Sequence, residues 1–453
     1  MQNINREHPE YVAQKAMWRR YKDLYAGGEQ LRQQAAEYLV RRNKEPNEIY
    51  LERLNRVFYQ NYVGSIIDWY AATLMHREPA LQVDGSDGAA KRYYSLLADD
   101  CDLKGTRLTE FFRKRFIEAL VCGSSYLVVD FPRASTPALN KADEDASGRS
   151  RAYLVDYGAD EVINWSYDTN GGLDWVVIRT SCLQQSKITE SKWEQETRWI
   201  YYDRKDFKVF RKAGESGRIE AIDQGTHALA SLGRVPVFRL KVTKGLWLMN
   251  KAALLQLEHL NKSNALAWAL TMGLFAMPVV YSDREWTQMV GESYYIQLGP
   301  QDRFGWTEPE GKVYQIAADN LLQLKDEIYR VCYLLNQAGS RGTVQSGLSK
   351  RLDFQTTDEV LAAYGCMVRE CIKQVLWAIA AARQDTVVLD VAGMDEFDID
   401  DFSTELDDAK KLLDLGIDSP TLKKQIFKRL AMQYLADARQ HVKNRVAEEI
   451  DGN

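Results

Sequence analysis

The chain has 453 residues, more than one hydrophobic core ordinarily organises, so two or three packed units are expected. Hydrophobic residues make up 45% and charged residues 27%, the balance of a globular protein that buries a core. A formal net charge of −5 argues against a generic basic nucleic-acid binder, although an acidic wall is compatible with a conduit past which a polyanion slides.

Residues 11–24 place Trp18, Tyr21 and Leu24 at helical spacing, and Gly27-Gly28 separates them from a second helical stretch over 29–40. Pro46 opens a long helix expected over 48–75. Tyr50, Leu51, Leu54, Val57 and Phe58 share one side, continued by Tyr62, Ile66, Trp69 and Tyr70, and Pro79 ends it. Helices follow over 89–97 and 106–120, the second carrying Phe111, Phe112, Arg115 and Phe116. The pattern then turns to strand at SSYLVVDF (124–131) and to a polar loop over 132–151. Residues 152–242 are strand-rich: YLVDY, EVINW, DWVVIRT, TRWIYY, FKVFRK and VPVFRLKV, with Asn170-Gly171 as a hairpin turn between two of them. Together the first 240 or so residues read as an α+β unit.

A long helix is expected over 251–275, then a compact piece over 276–318 with short strands at PVVY, YYIQL and KVYQI and turns at Gly299-Pro300 and Pro309-Glu310-Gly311. Residues 319–335 read as helix and 336–354, NQAGSRGTVQSGLSKRLDF, as a glycine-rich basic loop. Gly339, Gly342 and Gly347 give this loop its freedom, and Arg341, Lys350 and Arg351 its charge against the single acid Asp353. Thr356 and Glu359 form a capping box for a helix running to residue 383. At ~1.5 Å rise per residue the helices over 251–275 and 356–383 span roughly 37 and 42 Å, lengths that suit rods in an assembly. A strand over 386–391, an acidic run over 395–408 and a final helical pair close the chain, Ser419-Pro420 supplying an N-cap and first-turn signal.

No motif supports catalysis, and no catalytic residue, metal ligand or cofactor is assigned. Gly305 and Gly311-Lys312 approach a P-loop, but the spacing is wrong and Val313 stands where Ser or Thr is required. His8, His76, His227, His259 and His441 are scattered, and His259, among Leu255, Leu257 and Leu260, reads as structural. The doublets Asp99-Asp100, Asp400-Asp401 and Asp407-Asp408 match no EF-hand spacing and read as solvated turns or helix starts. Cys101, Cys122, Cys182, Cys332, Cys366 and Cys371 form no CxxC pair and read as reduced thiols of a cytosolic protein. The N-terminus lacks the apolar core of a signal peptide. Residues 263–282 carry no charge, yet Ser263, Asn264, Thr271, Gly273 and Pro278 interrupt them, so helix followed by buried strand is expected rather than a membrane span.

The order of patterns resembles the portal proteins of tailed double-stranded DNA bacteriophages. YLERLNRVFYQNYVGSIIDWYAATLMHREPAL resembles their helix before a Pro-bounded loop, and ALVCGSSYLVVDF their helix-to-strand passage. GRVPVFRLKV followed by NKAALLQLEHLNKSNALAWALTMGLFAMPVVY resembles their strand, first stem helix and entry to the clip. DNLLQLKDEIYRVCYLLNQAG is similar to the second stem helix leading into the tunnel loop. The likeness covers roughly residues 8–385 and fails to reach the last 65 or so residues motif by motif.

The resemblance implies a mainly helical α+β portal fold. Residues 1–250 would be the wing, 251–275 and 319–335 the stem helices and 276–318 the clip; 336–354 would be the tunnel loop, 355–385 a long wing helix and 386–453 crown or upper wing. It implies a homo-oligomeric ring of about twelve copies closed by head-to-tail contacts around a channel. Its partners would be double-stranded DNA held without sequence preference, the terminase large subunit, a head-tail adaptor, and the major capsid and scaffolding proteins. The expected location is the portal vertex of the virion, after assembly in the host cytoplasm, with no membrane and no cofactor. Arg341, Lys350 and Arg351 would meet DNA phosphates; otherwise they only solubilise the loop. Trp286, Tyr294, Tyr295 and Trp306 of the clip would dock the motor or adaptor, or instead form the clip's small core or a subunit contact. The rival readings are another phage head or connector component, a DNA-processing enzyme such as a nuclease, and a membrane protein.

Overall fold

The computed structural model describes residues 3–76, 78–85, 87–132, 151–184, 194–213, 218–273, 277–282, 300–307, 311–334, 347–394, 402–415, 417, 419–435, 438 and 440–452. It is a mainly helical α+β protein. In chain order, helices α1 (Pro9–Ala26), α2 (Gly28–Gln33), α3 (Ala35–Tyr38), α4 (Asn47–Asn55) and α5 (Tyr62–Met75) precede strand β1 (Ala80–Asp84) and helices α6 (Gly88–Asp99) and α7 (Leu108–Cys122). Strands β2 (Ser124–Asp130), β3 (Tyr153–Tyr157), β4 (Val162–Tyr167), β5 (Leu173–Gln184), β6 (Glu194–Asp203), β7 (Asp206–Ala213), β8 (Arg218–Thr226) and β9 (Val237–Lys241) follow. Helix α8 (Leu248–Gly273) leads to β10 (Met277–Tyr281), β11 (Arg303–Thr307), α9 (Gly311–Val331) and α10 (Gly347–Arg383). The chain closes with β12 (Val388–Ala392), α11 (Phe402–Asp414), α12 (Pro420–Tyr434) and α13 (Gln440–Gly452).

The chain divides into two compact units, one of residues 1–22, 65–251 and 344–453, the other of 23–64 and 252–343. In the first, β2 lies between β3 and β9, and β4 to β8 form an antiparallel meander. The turn from α7 into β2 depends on Gly123, whose φ of +82° is left-handed and where a Cβ would come within 3.1 Å of the Trp247 ring. The Trp247 indole donates to the Val121 carbonyl at 2.9 Å. The expected turn at Asn170-Gly171 joins β4 to β5, with Gly171 at φ +81° and Asp168 Oδ1 accepting from the Asn170 and Gly172 amides. Tyr364 of α10 centres the core, its ring 5.6 Å from Tyr70 and 5.1 Å from Phe116.

The free edge of β4 is covered by the N-terminal segment. His8 N–H donates to the Ile163 carbonyl at 2.8 Å, its ring stacks on Trp165 at 4.1 Å, and Asn5 Oδ1 accepts from Arg179 and the Trp199 indole. This satisfies a row of groups that an edge strand would otherwise leave open.

In the second unit α8 and α9 run antiparallel. Lys262 Nζ donates to Asn320 Oδ1 at 2.9 Å, and Tyr314 Oη reaches the Ala269 carbonyl at 3.5 Å. Strands β10 and β11 form a two-stranded antiparallel sheet in the connection between these helices. Residues 23–64, expected with the N-terminal wing, belong to this unit for a reason given below.

Several local expectations are corrected. The helix expected over 48–75 is two helices, because Asn61 Oδ1 accepts from the Gly64 amide and restarts the chain as α5. KVYQI is the first turn of α9 rather than a strand: Tyr314, Ala317, Ala318, Leu321 and Ile328 fall at helical spacing on the covered side. The stretch 347–354 is helical, since Leu348, Lys350, Arg351 and Leu352 are strong helix formers and extend α10 back to Gly347. Thr356 and Glu359 therefore lie inside that helix and cap nothing. Strand β8 pairs with β7 although its sequence, RIEAIDQGT, carries little strand signal, and β1 pairs with β12. YYIQL, residues 133–150 of the expected loop and residues 395–401 of the acidic run lie outside the described residues. Among the described residues no helix is long and apolar enough to cross a membrane; residues 263–273 are helix and Met277–Tyr281 strand.

Candidate functional site

The second unit is organised by polar side chains on one helix. Three amides of α8 hold backbone on either side of α4, at residues 38–40 and 58–63. Asn261 Oδ1 accepts from the Val40 amide at 2.8 Å, while its Nδ2 donates to the Tyr38 carbonyl at 3.0 Å. Asn264 does the same for Phe58, and Gln256 accepts from Val63 N–H at 3.3 Å while donating to the Gln60 carbonyl at 2.8 Å. Each amide thus supplies the donor and acceptor that a neighbouring strand would supply, so the stretches flanking α4 stay against the helix. Gln256 and Asn264 are buried, which makes these bonds costly to lose.

Next to the clamps, Arg53 Nη1 donates to both oxygens of Glu45 at 2.8 Å, the two side chains being 5% and 3% exposed. Glu45 Oε2 also accepts from the Arg42 amide. Burial alone would raise the Glu45 carboxyl, but the hydrogen bonds from Arg53 and Arg42 and their charges outweigh it and hold the group below its ordinary value of 4.5. His259 is buried on the same helix with its ring edge-on to Tyr62 at 5.1 Å, and Tyr62 in turn meets Tyr329 at 6.2 Å. Its Nδ1 has no hydrogen-bond partner and burial lowers its pKa, so it is a neutral packing histidine.

The arrangement holds backbone and packs rings. No nucleophile is set beside a base in it, and among the described residues no group of three or more His, Cys, Asp or Glu is placed to hold a metal. Among the described residues no disulfide joins the cysteines. Cys101, Cys122, Cys332 and Cys371 are buried, and burial pushes the Cys101 and Cys371 thiols up to about 12. Cys182 and Cys366 are exposed.

No protein-family model matches the chain, and no curated protein matches it. Among the solved structures similar to it are three of phage-like particles. The first, "Neck of empty GTA particle computed with C6 symmetry", is 14% identical with a TM-score of 0.44, covering 79% of this chain and 87% of that one. The "Virion of native gene transfer agent (GTA) particle" is 13% identical with a TM-score of 0.43, covering 84% and 93%. The "Neck of native GTA particle computed with C12 symmetry" is 12% identical with a TM-score of 0.38, covering 78% and 85%.

Of the residues singled out from sequence, Gly339, Arg341 and Gly342 lie outside the described residues, as do Trp286, Tyr294 and Tyr295. Gly347, Lys350 and Arg351 fall in the first turns of α10, and Trp306 lies in β11 opposite Pro278. Sequence reasoning missed the amide clamps. Their signal was present, since Gln256, Asn261 and Asn264 stand among the leucines and alanines of α8, but an amide in a long helix is ordinarily read as solvated surface.

Proposed function

We propose that this chain is one subunit of a portal-type ring of a phage-like particle, a passive conduit through which genomic DNA is packaged and later released. One observation carries the reading: α8, a two-stranded sheet, α9 and a helix of 37 residues follow one another in the order stem helix, clip, stem helix, long wing helix. At ~1.5 Å per residue α10 spans roughly 55 Å, a rod suited to a large assembly.

In this reading α8 and the part of α9 from residue 319 are the stem, residues 276–318, which include the start of α9, the clip, and residues 336–354 the tunnel segment. The clip, with Trp286, Tyr294, Tyr295 and Trp306, offers a docking or subunit-contact surface to the terminase motor, which supplies ATP hydrolysis, and to the head-tail adaptor. Arg341 precedes α10, and Lys350 and Arg351 sit in its first turns, where the positive end of the helix dipole also favours a phosphate. Contacts of exposed cations with phosphate are screened within a Debye length of ~8 Å at physiological ionic strength, so they are weak and blind to sequence. Weakness is the useful property, because a tight site would stall a moving duplex. Replacing the three cations together, Arg341→Gln, Lys350→Gln and Arg351→Gln, reduces DNA packaging or retention while leaving assembly intact. Unchanged packaging and retention would remove these residues from the mechanism.

A further inference from the structure

The turn over residues 40–45 is held more firmly than an exposed connection needs. Asn261 grips Val40 and Tyr38, the Tyr50 hydroxyl donates to the Leu39 carbonyl at 3.2 Å, and the Glu45 amide donates to the Arg42 carbonyl at 3.2 Å. Arg41 lies over the Tyr50 ring at 5.4 Å, and its Nη2 donates to the Glu45 carbonyl at 2.9 Å. The buried Glu45 carboxylate accepts from the Arg42 amide and is neutralised by Arg53. The charge that this turn shows to solvent is therefore positive only.

Arg41, Arg42, Asn43 and Lys44 are all exposed. The side chains of Arg42 and Lys44 have no hydrogen bond or ion pair to any described residue. Lys44 also sits at φ +61°, in the left-handed region that Gly or Asn ordinarily fills at the third position of a turn. Its backbone is strained and its side chain adds no polar contact to the fold, so stability does not account for a lysine there. Two cations held by a fixed turn suit a row of anions, and a guanidinium matches a phosphate through its two-donor edge. Held in advance, the turn has less freedom to lose on contact than a mobile loop has. The acidic balance of the whole chain does not oppose this, because exposed charges beyond a Debye length of ~8 Å are largely screened.

We propose that the turn over residues 41–44 contacts the phosphate backbone of duplex DNA, with Arg42 and Lys44 each meeting a phosphate and Arg41 holding the turn in place. A contact made to phosphates alone carries no sequence preference. It is a second DNA contact, apart from Arg341, Lys350 and Arg351, and it is built on the second unit from the N-terminal part of the chain. It is independent of ring formation, since every residue in it belongs to one chain.

Fluorescence anisotropy of a labelled random-sequence duplex with the full-length protein, over a series of potassium chloride concentrations, tests this, with sedimentation of the same samples recording the oligomeric state. Arg42→Gln and Lys44→Gly each weaken binding and lower the slope of log affinity against log salt by about one for each engaged subunit, because one phosphate contact is lost. Lys44→Gly unfolds at a denaturant concentration no lower than that of the native chain, since glycine adopts φ +61° without strain. Weaker binding by a variant that is no less stable is a result that a merely structural lysine would not give. The same losses persist in the Arg341→Gln, Lys350→Gln, Arg351→Gln background, which separates this contact from the tunnel residues; absence of rings with these losses intact counts against the conduit alone. The proposal is overturned if the native chain binds no DNA, or if affinity and slope are unchanged in both variants. A changed oligomeric state with unchanged DNA binding also overturns it, and assigns the turn to a contact between copies.

Discussion

Asn264 grips both polar ends of a single residue, Phe58: its Oδ1 accepts from the Phe58 amide at 3.1 Å and its Nδ2 donates to the Phe58 carbonyl at 2.9 Å. The two lie 206 positions apart in sequence, and the bond pair explains why a stretch without helix or strand stays in place. Replacing the amide by an apolar isostere, Asn264→Leu, strands two backbone groups and costs about 1–3 kcal/mol. Hydrogen exchange at the Phe58 amide is the sharpest readout and accelerates in the variant; protection equal to the native chain would contradict the clamp.

The buried pair of Arg53 and Glu45 makes a second prediction. Removing one partner, as in Arg53→Met, leaves an uncompensated buried carboxylate and destabilises the protein by about 3–5 kcal/mol. The double change with Glu45→Met recovers most of that loss, because the attraction within the pair mainly offsets its own desolvation. Denaturant unfolding of the two singles and the double closes the cycle.

The same carboxyl sets a pH dependence. Its pKa in the folded chain is lowered, so its contribution is present above the ordinary value of 4.5 and is lost as pH falls through the lower folded value. Unfolding measured between neutral pH and acid shows this loss in the native chain and not in the double variant lacking both partners.

His259 acts in a different window. Burial depresses its pKa below 6.5, so between the folded value and 6.5 the unfolded chain binds the extra proton and stability falls as pH falls. His259→Phe keeps the contact with Tyr62 and flattens the stability profile just below pH 6.5. His227, also depressed, is left in place and supplies the remaining slope. A profile identical to that of the native chain would show that His259 is solvated.

Gly365 in α10 meets the backbone carbonyl of Met394, and a Cβ there has no room. Gly365→Ala forces that chain segment away and costs about 1–3 kcal/mol. Gly88→Ala at the start of α6 meets nothing within 4 Å and serves as the neutral or mildly stabilising control.

Much of the first unit was legible because its signals are local. The β-branched and aromatic runs DWVVIRT and TRWIYY and the Asn170-Gly171 turn each act over a few residues. What was missed depends on distant partners. Strand β8 is exposed on both faces, so its sequence need not alternate, and only pairing with β7 makes it a strand. The grouping of residues 23–64 with α8 and α9 rests on Gln256, Asn261 and Asn264, whose partners lie about two hundred residues away. At the start of α10, three glycines nearby suggested a loop where Leu348, Lys350, Arg351 and Leu352 instead propagate a helix.

The central claim is a closed ring, and electron microscopy of the purified full-length protein tests it most directly. The account predicts rings of about twelve copies with an axial channel wide enough for duplex DNA, as head-to-tail contacts that close require. A monomer or a two-fold dimer across protein and salt concentrations, and in the presence of capsid and scaffolding partners, would contradict it.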